Sequence, residues 1–245
     1  MPRFAIAFLL LAATAAAQEA PVSTTIVPVV GSTFGVSMVR WLTDVELTNE
    51  TGLPVDVAIE LSSVPDAPVF LTTLGPGQVQ RFTDIVGQAF GLDAALSPLR
   101  VTTGGRRPVT VRAQAYAVHG ADVSPPQRLD SYGRETWFPI RVLDNLAFSD
   151  ELRTNVGLAN LGTQDADFLL ALQRVPGRNV AITHVVVGAG SLLHISIQSL
   201  FPMITKGDGF SVVVETGARQ THVYASVIRN EDHRAEFIAS RIGTR

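Results

Sequence analysis

The chain has 245 residues, no cysteine, and 19 basic against 22 acidic residues, for a formal charge of −3. Without cysteine there is no disulfide, thiolate nucleophile or cysteine-bound zinc. Charges of both signs are scattered and nearly balanced, so neither nucleic acid nor an anionic lipid surface has an electrostatic footprint to meet.

At the N-terminus Arg3 precedes an apolar run from Phe4 to Ala13, and Ala15-Ala16-Ala17 stands before Gln18. A positive end, an apolar core and a small-residue cleavage site, in that order, predict a secretory signal peptide over residues 1–17. The run is shorter than the roughly 20 residues of a membrane span. No cysteine follows it to carry a lipid anchor. The mature chain is expected to be exported, periplasmic or extracellular, with no integral membrane segment.

Residues 25–31, 40–48, 55–62, 79–83, 99–103 and 109–118 are rich in Val, Thr and alternating apolar residues, bounded by Gly, Pro, Asn and Asp. They read as short strands. Trp41, Val45 and Leu47 share one face of the second strand, expected in the core, while Asp44 and Glu46 share a wet face. Residues 85–92 suggest a single helical turn. Residues 120–134, carrying Ser124-Pro125-Pro126, suit a stiffened linker. A second set of strands follows at 137–142, 152–159, 167–174, 180–187, 192–197, 209–215 and 220–229, with a helical turn at 198–204.

The second set repeats the first. Thr43, Val45, Leu47 and Asn49 recur 111 positions later as Thr154, Val156, Leu158 and Asn160. At the same offset Pro28 matches Pro139, Asp56 matches Asp167, Leu61 matches Leu172, and Val64-Pro65 matches Val175-Pro176. After a two-residue shift Gly75-Pro76-Gly77 falls on Gly188-Ala189-Gly190, and Val111 and Ala113 match Val223 and Ala225. Such a period predicts an internal duplication. The expected fold is all-β: two tandem immunoglobulin-like antiparallel β-sandwiches over residues 22–119 and 135–245, joined by the linker at 120–134. Residues 235–242 are expected to close the second sandwich as an edge strand equivalent to 137–142. Asn49 and Asn160 end equivalent strands, where an Asn side chain bonds the backbone two residues on and closes a turn.

Residues 154–160 (Thr-Asn-Val-Gly-Leu-Ala-Asn), 74–77 (Leu-Gly-Pro-Gly) and 223–230 (Val-Tyr-Ala-Ser-Val-Ile-Arg-Asn) carry a resemblance. They look like exported bacterial tandem-repeat proteins with immunoglobulin-like domains of the adhesion-related kind. The resemblance covers nearly the whole mature chain and implies a fold and a compartment. It brings no functional residues.

Catalytic templates are missing: there is no Gly-x-Ser-x-Gly elbow, His-Glu-x-x-His helix, phosphate loop or calcium loop. Asp165 and Asp167, and the run Glu231-Asp232-His233, read as solvated turns. His184 and His194 stand five residues either side of Ala189. They would face each other if that turn closed a hairpin, giving a metal or pH-sensing pair. Sugar platforms need exposed aromatics. Trp41, Trp137, Tyr116 and Tyr224 are expected in packed positions, which leaves Tyr132. The expectation is a non-catalytic exported binding or structural protein with no catalytic, cofactor or metal residues. Its partner would be a protein or cell-surface polymer. A periplasmic chaperone that augments a partner's sheet, with residues 109–113 as the lending strand, is the alternative. A secreted hydrolase with scattered residues comes third.

Overall fold

The structure, a computed structural model, describes residues 22–35, 38–105, 108–133, 138–175 and 178–243. The predicted signal peptide, Trp137 and Pro176 lie outside these residues. The chain is all-β and its sheets are antiparallel throughout. Its first half runs β1 (Val22–Phe34), β2 (Arg40–Thr48), β3 (Val55–Leu61), β4 (Phe70–Leu74), β5 (Val79–Phe82), α1 (Ile85–Phe90), β6 (Ala95–Gly104) and β7 (Thr110–His119). Short strands β8 (Asp122–Val123), β9 (Gln127–Leu129) and β10 (Tyr132–Gly133) follow. The second half runs β11 (Ile140–Phe148), β12 (Leu152–Asn160), β13 (Ala166–Val175), β14 (Arg178–Val187), β15 (Ser191–Ser196), α2 (Ile197–Leu200), β16 (Gly207–Glu215), β17 (Thr221–Arg229), β18 (Ala235–Ala239) and β19 (Arg241–Ile242).

Strand order is the same in both halves. The path β4-β3-β6-β1 is matched by β14-β13-β16-β11, and β5-β2-β7 by β15-β12-β17. Each half buries one apolar cluster between its two layers. Val57, Ile59, Leu99 and Val101 face Val45, Leu47 and Val111 in the first. Phe168, Leu170, Phe210 and Val212 face Val156, Leu158 and Val223 in the second. The helical turns plug one end of each core: α1 buries Ile85, Val86 and Phe90, and α2 buries Ile197 and Leu200. Both are started by a side-chain cap, Asp84 accepting from the Gly87 amide and Ser196 from the Ser199 amide.

The described part of the expected linker, residues 120–133, carries strands that pair with the first half. β8 and β9 pair with β7, β10 pairs with β1 (Ile26 opposite Tyr132), and Leu129 is buried in the first core. The prolines only interrupt the ladder between β8 and β9, where Ser124 holds the gap by exchanging hydrogen bonds with Ala117. The segment 127–133 starts on the edge of one layer and ends on the edge of the other. Residues 235–242 make the same crossing: β18 pairs with β17 and β19 with β11. Their counterpart is therefore 127–133 and not 137–142.

Asn49 and Asn160 are fully buried and make matching networks. Asn49 Nδ2 donates to the carbonyls of Leu53 (2.8 Å), Leu74 (2.9 Å) and Gly75 (3.0 Å), while its Oδ1 accepts from the Thr51 amide (2.9 Å). Asn160 Nδ2 donates to Gln164 (2.8 Å), Val187 (3.0 Å) and Gly188 (3.1 Å), while its Oδ1 accepts from the Gly162 amide (3.0 Å). The turn closure two residues on is there. The same amide also ties the turn before the next strand to the crossover between layers. Gly77 and Gly190, both at φ near +65° (69° and 64°), let that crossover bend back onto the asparagine strand. Asn49-Glu50-Thr51 also spells a glycosylation sequon, but with Asn49 committed in this way its amide is not free to carry a glycan in the folded chain.

Asn160→Ala removes all four contacts of the amide, including the buried one to the Val187 carbonyl, so its cost is expected at about 2–3 kcal/mol, well above a single exposed turn bond. Asn49→Ala is expected to cost a similar amount. Denaturant unfolding of the two variants is the check.

Candidate functional site

The layers do not expose equivalent faces. In the first half, outward positions on β2 and its neighbours are charged and balanced. Glu46 lies between Arg81 and Arg112 across the sheet and is paired with both, at 2.8 and 3.3 Å. Tyr116 donates its hydroxyl to Asp44 at 3.1 Å. Burial, with the neighbouring Asp44 carboxylate, pushes the Tyr116 phenol up to about 12.

The same ladder row in the second half reads His194, Gly157, Tyr224. Gly157 has no side chain, and the Tyr224 ring occupies the space: a Cβ on Gly157 would sit 2.0 Å from the ring. Lying flat across the strand, Tyr224 reaches His194, and its hydroxyl and the imidazole Nδ1 share a hydrogen bond of 2.9 Å. Phe237 from β18 stacks on the other side of Tyr224 with centroids 5.2 Å apart, and also packs against the first core.

Between this row and the first half lies a cleft of about 530 Å³. Its first-half wall includes Val29, Phe34, Trp41, Leu96 and Leu129, and its second-half wall Arg153, Asn155, His194, Tyr224, Ser226 and Phe237. Trp41 is thus a cleft residue rather than a core one. The strand's apolar alternation has the right phase, but at residue 41 β2 has passed the end of the core. Among the described residues no Asp or Glu lines the cleft. His194 is exposed on the cleft side, and crowding by the surrounding chain, which displaces solvent from the ring, lowers its imidazole to about 4.

A second crevice, of about 370 Å³, lies between residues 117–125 and 231–234. There His119 and His233 meet edge to face with centroids 5.7 Å apart. Among the described residues no group of three or more His, Asp or Glu is disposed to hold a metal. Between the halves His222 is almost fully buried, its ring 5.3 Å from that of Tyr132, and its Nδ1 has no hydrogen-bond partner among the described residues. Burial, helped by the Arg141 charge, lowers it to about 4. Tyr132, the free aromatic of the sequence reading, is half-buried on that histidine.

His184 and His194 do not come together. The turn between them crosses from one layer to the other, placing β14 beside β13 and β15 beside β12. His184 is exposed and faces Asp167 at 3.6 Å. The acidic clusters split: Asp165 accepts from the Ala189 amide in a turn, but Asp167 is a strand residue of β13 opposite Val186; Asp232 accepts from the Arg234 amide in a turn and pairs with Arg229. Comparison with protein-family models, curated proteins and solved structures finds no match.

Gly157→Ala should displace the Tyr224 ring at a cost of about 1–3 kcal/mol, as overpacking does, measured by denaturant unfolding. The imidazoles set a pH dependence. Between about 6.5 and 4 the unfolded chain takes up protons that folded His222 refuses, so stability falls as pH falls. From pH 7 to 5 that loss is about 2 kcal/mol for one fully shielded imidazole. His194, open to the cleft, adds less. His222→Gln should flatten the slope of melting temperature against pH across this window.

Proposed function

We propose that the chain is a non-catalytic exported protein of two tandem immunoglobulin-like sandwiches, descended from one duplicated unit. It acts by binding a protein or cell-surface polymer through a sheet edge. Duplication is supported by the equal strand orders, the paired asparagine networks and the two layer-crossing segments at 127–133 and 235–242. Export is supported by the composition of residues 1–17. Among the described residues no helix is long and apolar enough to cross a membrane.

The observation that carries the binding role is β14. Among the described residues this ten-residue strand pairs only with β13, in unbroken register from Ala181 to Val187. Val180, Ile182 and Val186 are 43, 57 and 64% exposed along it. Edges without a binding role are usually blunted by proline, lysine, a bulge or a cover. β14 has neither proline nor lysine, its pairing with β13 is irregular only before Ala181, and nothing among the described residues lies over its outer edge. An added strand would gain main-chain bonds along β14, with alternate side chains set against the apolar row. The equivalent strand of the first half, β4, is also an edge and exposes Leu71.

A chaperone-like role would use the same edge. Residues 109–113, the sequence's candidate for strand lending, are paired to β2 along one side from Thr110. On the other side β9 takes over at Ala113, and Ser131 donates to the Val111 carbonyl. The hydrolase reading has little to build on, since among the described residues the larger cleft has no carboxylate and its imidazole is bonded to a phenol.

Lysine at Ile182 and Val186 tests the edge. Exposed substitutions of this kind change stability by about 0.5 kcal/mol at most, so the melting curve should stay put. A partner captured from the envelope of the exporting cell by the wild type should bind the Ile182→Lys/Val186→Lys protein at least about tenfold more weakly. Capture at wild-type level by the substituted chain would overturn the edge as the binding surface.

A further inference from the structure

The second-half wall of the larger cleft is built from ladder rows whose chemistry has been changed row by row. Arg153 stands opposite Ile228, Asn155 between Ser196 and Ser226, and Gly157 between His194 and Tyr224. The corresponding β2 residues of the first half are Leu42, Asp44 and Glu46. Both carboxylates have gone from the second half, and a cation stands where the first half has leucine.

Arg153 is half-buried. Among the described residues its guanidinium bonds only the neutral Oδ1 of Asn230, at 2.6 Å, and has no carboxylate within ion-pair distance. A shielded charge without a counter-ion is costly. Beside it Asn155 and Ser226 make no side-chain hydrogen bond among the described residues, although both line the cleft. Facing them across the cleft are Val29, Phe34, Trp41, Leu96 and Leu129, with Phe237 at the side. One cation without a counter-ion, neutral polar groups left free of protein partners and open to the cleft, and a large apolar wall form a specific combination. It fits a molecule with a single negative end and an apolar body.

We propose that this cleft is a binding site for a small amphiphilic monocarboxylate. The carboxylate meets the Arg153 guanidinium, whose fork suits two parallel bonds to a planar anion. Asn155 and Ser226 supply further donors, and the apolar chain lies along Trp41, Leu96 and Leu129. The volume of about 530 Å³ falls within the range of roughly 300–1,000 Å³ over which proteins enclose small ligands. A sugar would leave the apolar wall unused, and a phosphate dianion would bring more charge than one arginine balances. The site is separate from the β14 edge and does not depend on it.

Decanoate, with decanol as its uncharged match, tests the site on the whole chain by calorimetry and by the fluorescence of Trp41. Decanoate should bind saturably, one per chain, at least tenfold more tightly than decanol. Arg153→Gln should erase that preference while leaving decanol binding within twofold. Asn155→Leu should weaken decanoate severalfold and keep the Arg153–Asn230 bond, so the polar floor is tested even if Arg153→Gln fails to fold. Ala115→Phe, which fills the cleft, should weaken both ligands. Absence of saturable decanoate binding, equal affinity for decanoate and decanol, or a preference that survives Arg153→Gln would overturn the assignment.

Discussion

One buried amide side chain in each half joins segments that the strand ladders leave separate. Asn49 and Asn160 each sit at the end of a strand in one layer. From there each bonds the turn that opens the other layer and the crossover that returns from it. Antiparallel ladders fix register within a layer and say nothing about how two layers align. An amide with donors and an acceptor in fixed directions does so, because its buried bonds to the Leu74 and Val187 carbonyls keep their geometry only when the two layers are aligned. The position of every inward side chain in both cores follows from that alignment. So does the height at which the outer row beside Glu46 or Gly157 is presented.

Given two frames of the same shape, the difference between the halves lies in what their outer faces are asked to meet. Water is met by the first: Arg81, Glu46 and Arg112 screen one another at low cost and are worth little to stability. The second face is turned toward the first half, where unpaired charge would be expensive. In the corresponding row of the second half glycine stands where the first has Glu46, a tyrosine ring fills the strip beside it, and a neutral histidine bonded to the phenol stands where the first has Arg81. Phe237 completes the change by bridging the second layer to the first core. The cleft is the part of this junction that the replacement side chains do not fill, and its unbalanced Arg153 is what distinguishes it from a packing gap.

The frame was legible in the sequence because it is written in repeated residues. Most strands, both helical turns and the Asn and Gly pairs are legible as matches at offsets of 111 to 113, whereas β4 (Phe70–Leu74) and the short β8, β9 and β10 are not. Nor are the two layer-crossing segments, since Gln127-Arg128-Leu129 and Ala235-Glu236-Phe237 share no residue type, and two prolines made the first resemble a linker. The row around Gly157 hid for a related reason. A small residue between polar ones reads as an exposed face, and only the neighbouring half makes it a covered one. Trp41 was misplaced because alternation marks the side of a strand but not where the core beneath it stops. The histidine pair failed on connectivity: a glycine turn joins strands of one sheet or of two, and the residues beside it are alike in both cases. The β14 edge left no motif, because being an edge is a property of what lies beside a strand.

The cleft exists only if the second half's Tyr224 face lies against the first half, and a chain without cysteine allows that packing to be measured directly. His119 and His233 belong to opposite halves, and their rings meet at 5.7 Å. With cysteine at both positions, a short bifunctional thiol reagent at low protein concentration should give one intramolecular link per chain, formed rapidly and without loss of fold. Thiols that stay free in the folded chain, or that link only between molecules, would contradict the packing of the halves on which the cleft depends.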